Sequence, residues 1–178
     1  MSTARNSSGE LPGVREGDLT EGAGAGNASA AGTLVERKSR LTILVKMKDC
    51  SSLAALAGFT RELGMVPAAM RKSLAHDQGK EMARHKELSK ALKLQVYFCD
   101  PHSPRQRPSN GNMNGLVRQF AASLAGPHLP KGIDLSIYSK KDLDRIALSL
   151  NTRPRAMPGF RTPLAVFAGE CAKLEAAA

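Results

Sequence analysis

An α/β fold, a mixed five-stranded sheet flanked by helices, is predicted by three features of this 178-residue chain. Between Val14 and Met47 the apolar residues fall in three short runs rich in β-branched and aliphatic side chains, with turn-forming sequence between them. From Ser51 onward, helix-patterned segments alternate with two more short apolar runs, the order of βαβ crossovers. Apolar residues make up 42% of the chain, which suits one domain with a sizeable core and hardly two. There is no tryptophan and aromatics are 4%, so Leu, Val, Ile, Ala and Met must fill that core.

Residues 1–13, rich in Ser, Gly and Pro, read as a loose tail. VREGDLTEG is a short strand centred on Gly17–Leu19, and GAGAGNASAAG a flexible connection. TLVERKS and RLTILVKM are the next two strands, with the polar Glu36–Arg40 segment as the hairpin turn between them. Ser51 and Ser52 are N-cap candidates for a helix carrying Leu53, Leu56, Ala57, Leu63 and Met65. Pro67 interrupts, and a second short helix covers Ala68–Lys72. Ser73–Ala75 is a brief buried strand ending at His76-Asp77, and Asp77 can cap a helix over Gln78–Leu92. Leu94–Phe98 is a fifth strand. CDPHSPRQRPS is a loop, because three prolines in eight residues block both helix and ladder. Asn110–Leu124 reads as a helix and AGPHLPKGIDLS as a loop. Ser139 caps the amphipathic KKDLDRIALSLN, whose Leu143, Ile146, Ala147 and Leu150 share one side. NTRPRAMPGFR is extended and basic, and Thr162-Pro163 opens a final helix with Pro at its first position. The core is therefore expected over 14–168, with 169–178 as a C-terminal tail. A meander followed by βαβ-like crossovers is the order of an RNase H-like fold, whose sheet brings the middle of the first strand beside the end of the fourth.

The formal net charge is +10, which favours polyanionic partners, nucleic acid first and an anionic membrane surface second. A solvated basic surface is the plainer alternative. No apolar-basic amphipathic segment supports the membrane reading, and no apolar run approaches the ~20 residues of a membrane span. Cys50, Cys99 and Cys171 are far apart and odd in number, which argues against a disulfide framework and fits a reducing, cytoplasmic location. Cys99 and His102 have metal-like spacing, but no second Cys/His pair completes a structural zinc site.

The strand order sets Asp18 near Asp77. Two carboxylates at adjacent strand positions, with one from a helix, can hold two Mg²⁺ (or Mn²⁺) ions for phosphodiester displacement. Each acid also has a plain structural reading: Asp18 as an exposed strand-end acid, Asp77 as an N-cap.

Seven blocks then carry a specific resemblance: REGDLTEG, GNASAAGTLVERKSR, RKSLAHDQGKEMARH, VYFCDPHSP, SNGNMNGLVRQF, PKGIDLS and LNTRPRAMPGFRTP. In colinear order from about Val14 to Phe167, they resemble the catalytic half of the IS-thirty family of bacterial insertion-sequence transposases, in the retroviral-integrase superfamily. The resemblance implies an Asp-Asp-Glu triad that cuts and joins DNA strands, with Asp18 as the first Asp and Asp77 as the second. The family pattern S-P-W-Q-R-G-x-N-E-N-x-N-G falls on Ser103 to Gly115, and there the expected glutamate is Gly111. Arg105 replaces the usual Trp and Pro108 the usual Gly. No Asp or Glu occurs between Asp100 and Asp134 to substitute for the missing acid. Gly111 as a flexible first helical turn would cost ~1 kcal/mol against Ala.

Other departures from the pattern are Arg15 in place of Trp, His76 in place of an aromatic, and an extra segment around Ala121–Pro127. The family's N-terminal helix-turn-helix region has no counterpart in the short tail, so the sequence reads as a truncated and altered copy. Lys80, Arg84, His85, Arg105, Arg107, Arg118, Arg153, Arg155 and Arg161 are candidate phosphate contacts, with solvated surface as the alternative for any one of them. Two functional expectations stand side by side. One is a DNA transposition domain, Mg²⁺-dependent by descent, weak in metal binding and impaired in catalysis. The other is a non-catalytic DNA-binding or assembly module that pairs with itself or with an intact transposase.

Overall fold

The computed structural model describes residues 11–21, 30–99, 113–117, 119, 138–156 and 159–177. Its sheet has the strand order β3-β2-β1-β4-β5. The meander comprises β1 (Val14–Glu21), β2 (Ala30–Glu36) and β3 (Thr42–Met47), paired antiparallel. Helix α1 (Ser52–Gly64) leads to β4 (Ser73–His76), parallel to β1, and α2 (His85–Leu92) leads to β5 (Gln95–Phe98), parallel to β4. Helical residues 113–117 (α3), then α4 (Lys140–Asn151) and α5 (Pro163–Ala176), complete the described elements.

Strand β2 is central to the meander and buried along its whole length, so both of its faces are covered. Leu34, Val45, Phe59, Leu63, Leu74 and Leu88 form the core beneath α1 and α2. Ala31, Val35, Leu44, Met113, Val117, Leu143, Ile146 and Leu150 form the core beneath α3 and α4. Helix α1 lies close on the sheet because both contacting backbones lack a side chain. A Cβ on Gly32 would sit 2.9 Å from the Phe59 ring, and one on Gly58 2.8 Å from Val45 Cγ1. The far end of α4 is pinned to β3 by Asn151: the Thr42 amide donates to its Oδ1 (2.9 Å), and its Nδ2 donates to the Thr42 carbonyl (2.8 Å).

Several local expectations hold for local reasons. The Ser51 hydroxyl accepts from the Ala54 amide and caps α1. Ser139 and Asp142 form a reciprocal capping box on α4. Thr162 caps α5, with Pro163 at its first turn. In the 37–40 turn, buried Glu36 accepts from the Ser39 amide and hydroxyl, and Arg40 takes a left-handed φ of 64°.

Other expectations are corrected. Residues 169–176 are not a tail but the second half of α5, held by Val166 in the core and by Glu170, which accepts from Lys38 (2.8 Å) and Lys173 (2.9 Å). Gly13, the last residue of the expected N-terminal tail, is already tied in: its amide donates to Glu36, and its carbonyl accepts from Lys72 and Ser73. Strand β2 begins at Ala30, three residues before the expected run, because those small residues pair with β1 and β3.

The expected continuous helix over Gln78–Leu92 is broken. A 3₁₀ turn, Lys80–Met82, comes first, with Gly79 rather than Asp77 at its N-cap position, and α2 starts only at His85. The break follows from Met82, whose side chain is buried in the α1 core while its carbonyl accepts from His85 Nδ1 (3.0 Å). The 68–72 helix is likewise only a 3₁₀ turn, Ala68–Met70. NTRPRAMPGFR is folded back rather than extended, since the Phe160 amide donates to the Arg155 carbonyl (2.7 Å) and the Arg155 amide to Arg161 (3.2 Å). None of the three cysteines forms a disulfide.

Candidate active site

The site is built at the seam between β1 and β4, where antiparallel and parallel pairing meet. The parallel ladder pairs Val14 with Ser73, Arg15 with Leu74 and Glu16 with Ala75. Continued one step, it sets Gly17 against His76, and a Cβ on Gly17 would lie 2.8 Å from His76 Cδ2. One step further brings position 18 level with position 77, on strands spaced ~4.8 Å apart.

Strand alternation then decides the face. Gly17 abuts Leu34, Leu74 and His76, and Leu19 packs with the α1 core, so the odd positions of this part of β1 look toward α1. Asp18 looks the other way, toward α3, where Asn114 Nδ2 donates to Asp18 Oδ2 at 2.6 Å. His76 is buried against Phe59 of α1, with ring centroids 6.0 Å apart. Alternation carried one residue past β4 therefore directs position 77 to the α3 face as well. The Asp77 carbonyl accepts from His76 Nδ1 (3.0 Å) and from the Gly79 amide (2.9 Å), which fixes the backbone that presents the exposed Asp77 side chain.

Helix α3 is held over Asp18 by its own core residues. Met113 and Val117 are buried among Leu143, Ile146 and Leu150, which leaves Asn114, between them, at the sheet seam. The motif around Asn114 was legible in the sequence, but no role attached to that residue. Its spacing of three from Gly111, one turn along a helix, is the signal that could have singled it out. Gly111 itself, with Arg105, Arg107 and Arg118, lies outside the residues or side chains described. Among the described residues, no three His, Cys, Asp or Glu side chains converge as a metal-binding group.

The basic candidates separate. Lys80 is exposed on the 3₁₀ turn that follows Asp77. Arg84 is bidentate with Glu87 (2.8 and 2.7 Å), and this bond raises its pKa. His85 packs edge-on against Phe98. Arg153 and Arg161 are exposed. Arg155 is turned inward: Nη2 donates to the Leu150 carbonyl (3.1 Å) and Nη1 approaches Met113 Sδ (3.7 Å), so it clamps α3 to the end of α4. Burial, with Arg40 and Arg153 nearby, lowers its pKa.

Arg15, the residue standing where the resemblance implies Trp, is also structural. It is 2% exposed, donates to the Met70 carbonyl and lies 5.9 Å over the Phe167 ring, so it anchors α5. Burial depresses its pKa to about 10, against the opposing pull of Glu36.

No family model matches the chain. Among curated proteins, the chain is 54% identical over 158 residues to the transposase for insertion sequence element IS1086 of Cupriavidus metallidurans, covering 89% of this chain and 44% of that protein. It is 42% identical over 148 residues to transposase InsI for insertion sequence element IS30A of Escherichia coli K12, covering 83% and 36%. It is 40% identical over 96 residues to the transposase for element IS4351 of Bacteroides fragilis, covering 52% and 27%. The chain thus spans less than half the length of these relatives. Among solved structures, the catalytic core domain of BIV integrase aligns with a TM-score of 0.69 at 16% identity, covering 92% of this chain and 98% of that one. A chain of the simian T-cell lymphotropic virus intasome, in complex with PP2A regulatory subunit B56 gamma, aligns with a TM-score of 0.68 at 15% identity, covering 86% and 54%. At these identities the structures speak for the fold, which is that of the integrase catalytic cores.

Proposed function

We propose that the chain is the DNA-handling core of an insertion-sequence transposase similar to those of IS30 and IS1086, impaired in strand cleavage and joining. The observation that supports this reading best is the continued β1–β4 register, with Asp18 level with position 77 on the face that α3 covers. In the proposal Asp18 and Asp77 hold a divalent cation, Mg²⁺ or Mn²⁺. Such an ion lowers the pKa of an attacking water or hydroxyl and stabilises the leaving oxygen.

The residues fit a hard cation: the donors are oxygens, and the side chain packed on Asp18 has a buried amide oxygen, Asn114 Oδ1, without a hydrogen-bond partner. Asp18 is held by the sheet, and Asp77 by the His76 and Gly79 bonds to its carbonyl. In this reading Lys80, Arg84, Arg105, Arg107, Arg118 and Arg153 contact DNA phosphates. Their contribution is affinity without base readout. The impairment rests on Gly111, which stands where the resemblance implies the third acid.

Two measurements test the reading. Anisotropy with a labelled duplex should show binding that weakens steeply from low to physiological salt and is indifferent to sequence. Salt-independent affinity, or no binding at low salt, rules against DNA as the partner. A strand-cleavage and strand-joining assay on a pre-processed DNA end compares the chain, Gly111→Glu, and Gly111→Glu with Asp77→Asn, in Mg²⁺ and in Mn²⁺. The unaltered chain is expected to be silent. Robust, Asp77-dependent activity in it refutes the impairment.

A further inference from the structure

We infer that Asn114, through Oδ1, is the third oxygen ligand of the cation position formed by Asp18 and Asp77, taking the part for which residue 111 has no side chain. This rests on the metal reading above and adds a ligand that the acid triad does not contain. Two observations carry it. Asn114 Nδ2 lies 2.6 Å from Asp18 Oδ2, so its amide is already within the reach of whatever Asp18 binds. Asn114 Oδ1 is buried without a hydrogen-bond partner, so no bond holds the amide oxygen where it is and nothing opposes a half-turn that brings it to Asp18.

The amide is suited to both conditions. Without a cation, the Asp18 carboxylate needs a donor, and Nδ2 supplies it. With a cation, a half-turn of the amide about its last side-chain bond exchanges Nδ2 and Oδ1 with no movement of the backbone. Both Asp18 and Asn114 then present oxygen to the ion. Mg²⁺, Mn²⁺ and Ca²⁺ all accept neutral carbonyl-type oxygens beside carboxylates. The exchange does not require α3 to move, because Met113 and Val117 on either side of Asn114 are fixed in the core and Arg155 reaches Met113 Sδ from the end of α4. A site of two carboxylates and one amide carries one negative charge fewer than a three-acid site. It therefore holds the cation more weakly while keeping the same number of ligating side chains.

The test is Mn²⁺ titration of the full chain by calorimetry, with thermal unfolding in the absence and presence of Mn²⁺. Asn114→Asp should tighten Mn²⁺ binding, and Asn114→Leu should weaken it, each by at least about tenfold. Asn114→Asp should also lower the midpoint of unfolding without metal, since two carboxylates then face each other, and Mn²⁺ should restore it. Asn114→Leu binding Mn²⁺ as tightly as the unaltered chain, or more tightly, overturns the inference, because Asn114 then only competes with the ion for Asp18. If Asn114→Leu does not fold, Asn114→Asp decides alone, and unchanged affinity in it overturns the inference. Failure of the broader metal reading looks different: Asp18→Asn and Asp77→Asn would then also leave Mn²⁺ binding unchanged, with DNA binding still to be judged by its own salt series.

Discussion

Substitution of Gly17 by Ala tests the seam that sets Asp18 level with position 77. The new Cβ would lie 2.8 Å from His76 Cδ2, 3.0 Å from Leu74 Cδ1 and 3.4 Å from Leu34 Cδ2. Ordinary carbon contacts sit at about 3.5–4.0 Å, so the overlap with the imidazole is roughly 0.7–1.2 Å. Neither neighbour can swing into solvent, since His76 is 1% exposed and Leu74 0%. Overpacking of this kind costs about 1–3 kcal/mol. Replacing a strand glycine with alanine returns about 0.5–1 kcal/mol, so a net loss of about 1–2 kcal/mol is expected. For a chain of this size that is about 2–4 °C of melting temperature per kcal/mol.

The assay is a double-mutant cycle by urea unfolding, with His76→Ala as the second change. Removing the imidazole makes room for the methyl, so Gly17→Ala should become nearly neutral in that background, apart from the residual Leu74 contact. A coupling of about 1 kcal/mol or more is expected. Because His76 Nδ1 donates to the Asp77 carbonyl, Gly17→Ala should also weaken Mn²⁺ binding more than its stability loss explains. A stabilised Gly17→Ala protein, or a cost that stays the same in both backgrounds, refutes the reasoning and with it the close β1–β4 approach at this level.

Three more outcomes are expected. Arg155→Met should lower the melting temperature more than Arg153→Met, which should weaken duplex binding, because Arg155 donates into the α3–α4 junction and Arg153 is exposed; equal melting temperatures contradict the clamp. Asn151→Ala strips the buried Thr42 amide and carbonyl of their partners and should cost about 2–4 kcal/mol in urea unfolding; a loss below about 0.5 kcal/mol, within the range of an ordinary surface change, contradicts the pin. Glu170→Gln should destabilise at neutral pH, because the bond from Lys38, with that from Lys173, lowers the Glu170 pKa. The contribution of a depressed carboxyl is present above its ordinary pKa and is lost as pH falls through the folded value, so the gap from the unaltered chain should close in acid. A gap constant with pH would show that the ion pair is not its source.

What the sequence determined by itself was local or laterally simple. The caps at Ser51, Ser139 and Thr162-Pro163 are read within four residues, and each forms because its hydroxyl meets an amide of the same segment. The five-stranded order followed from the meander and the two crossovers. Motif blocks, rather than periodicity, gave Asp18, Asp77 and position 111 their meaning.

Tertiary structure decided the fate of residues whose partners are distant in the chain. Arg155 reads in sequence like the other arginines of a basic segment, yet it clamps α3, because Met113 lies beside it only after folding. Arg15 reads as a polar strand residue and is buried under Phe167, 152 residues away. The 78–92 helix breaks because the α1 core takes Met82, and 169–176 stay helical because Lys38 holds Glu170. Asn114 gained a role only when α3 was laid over β1. Side-chain propensity and spacing register neighbours along the chain, whereas burial and the pairing of a buried charge or amide depend on which distant surface covers it.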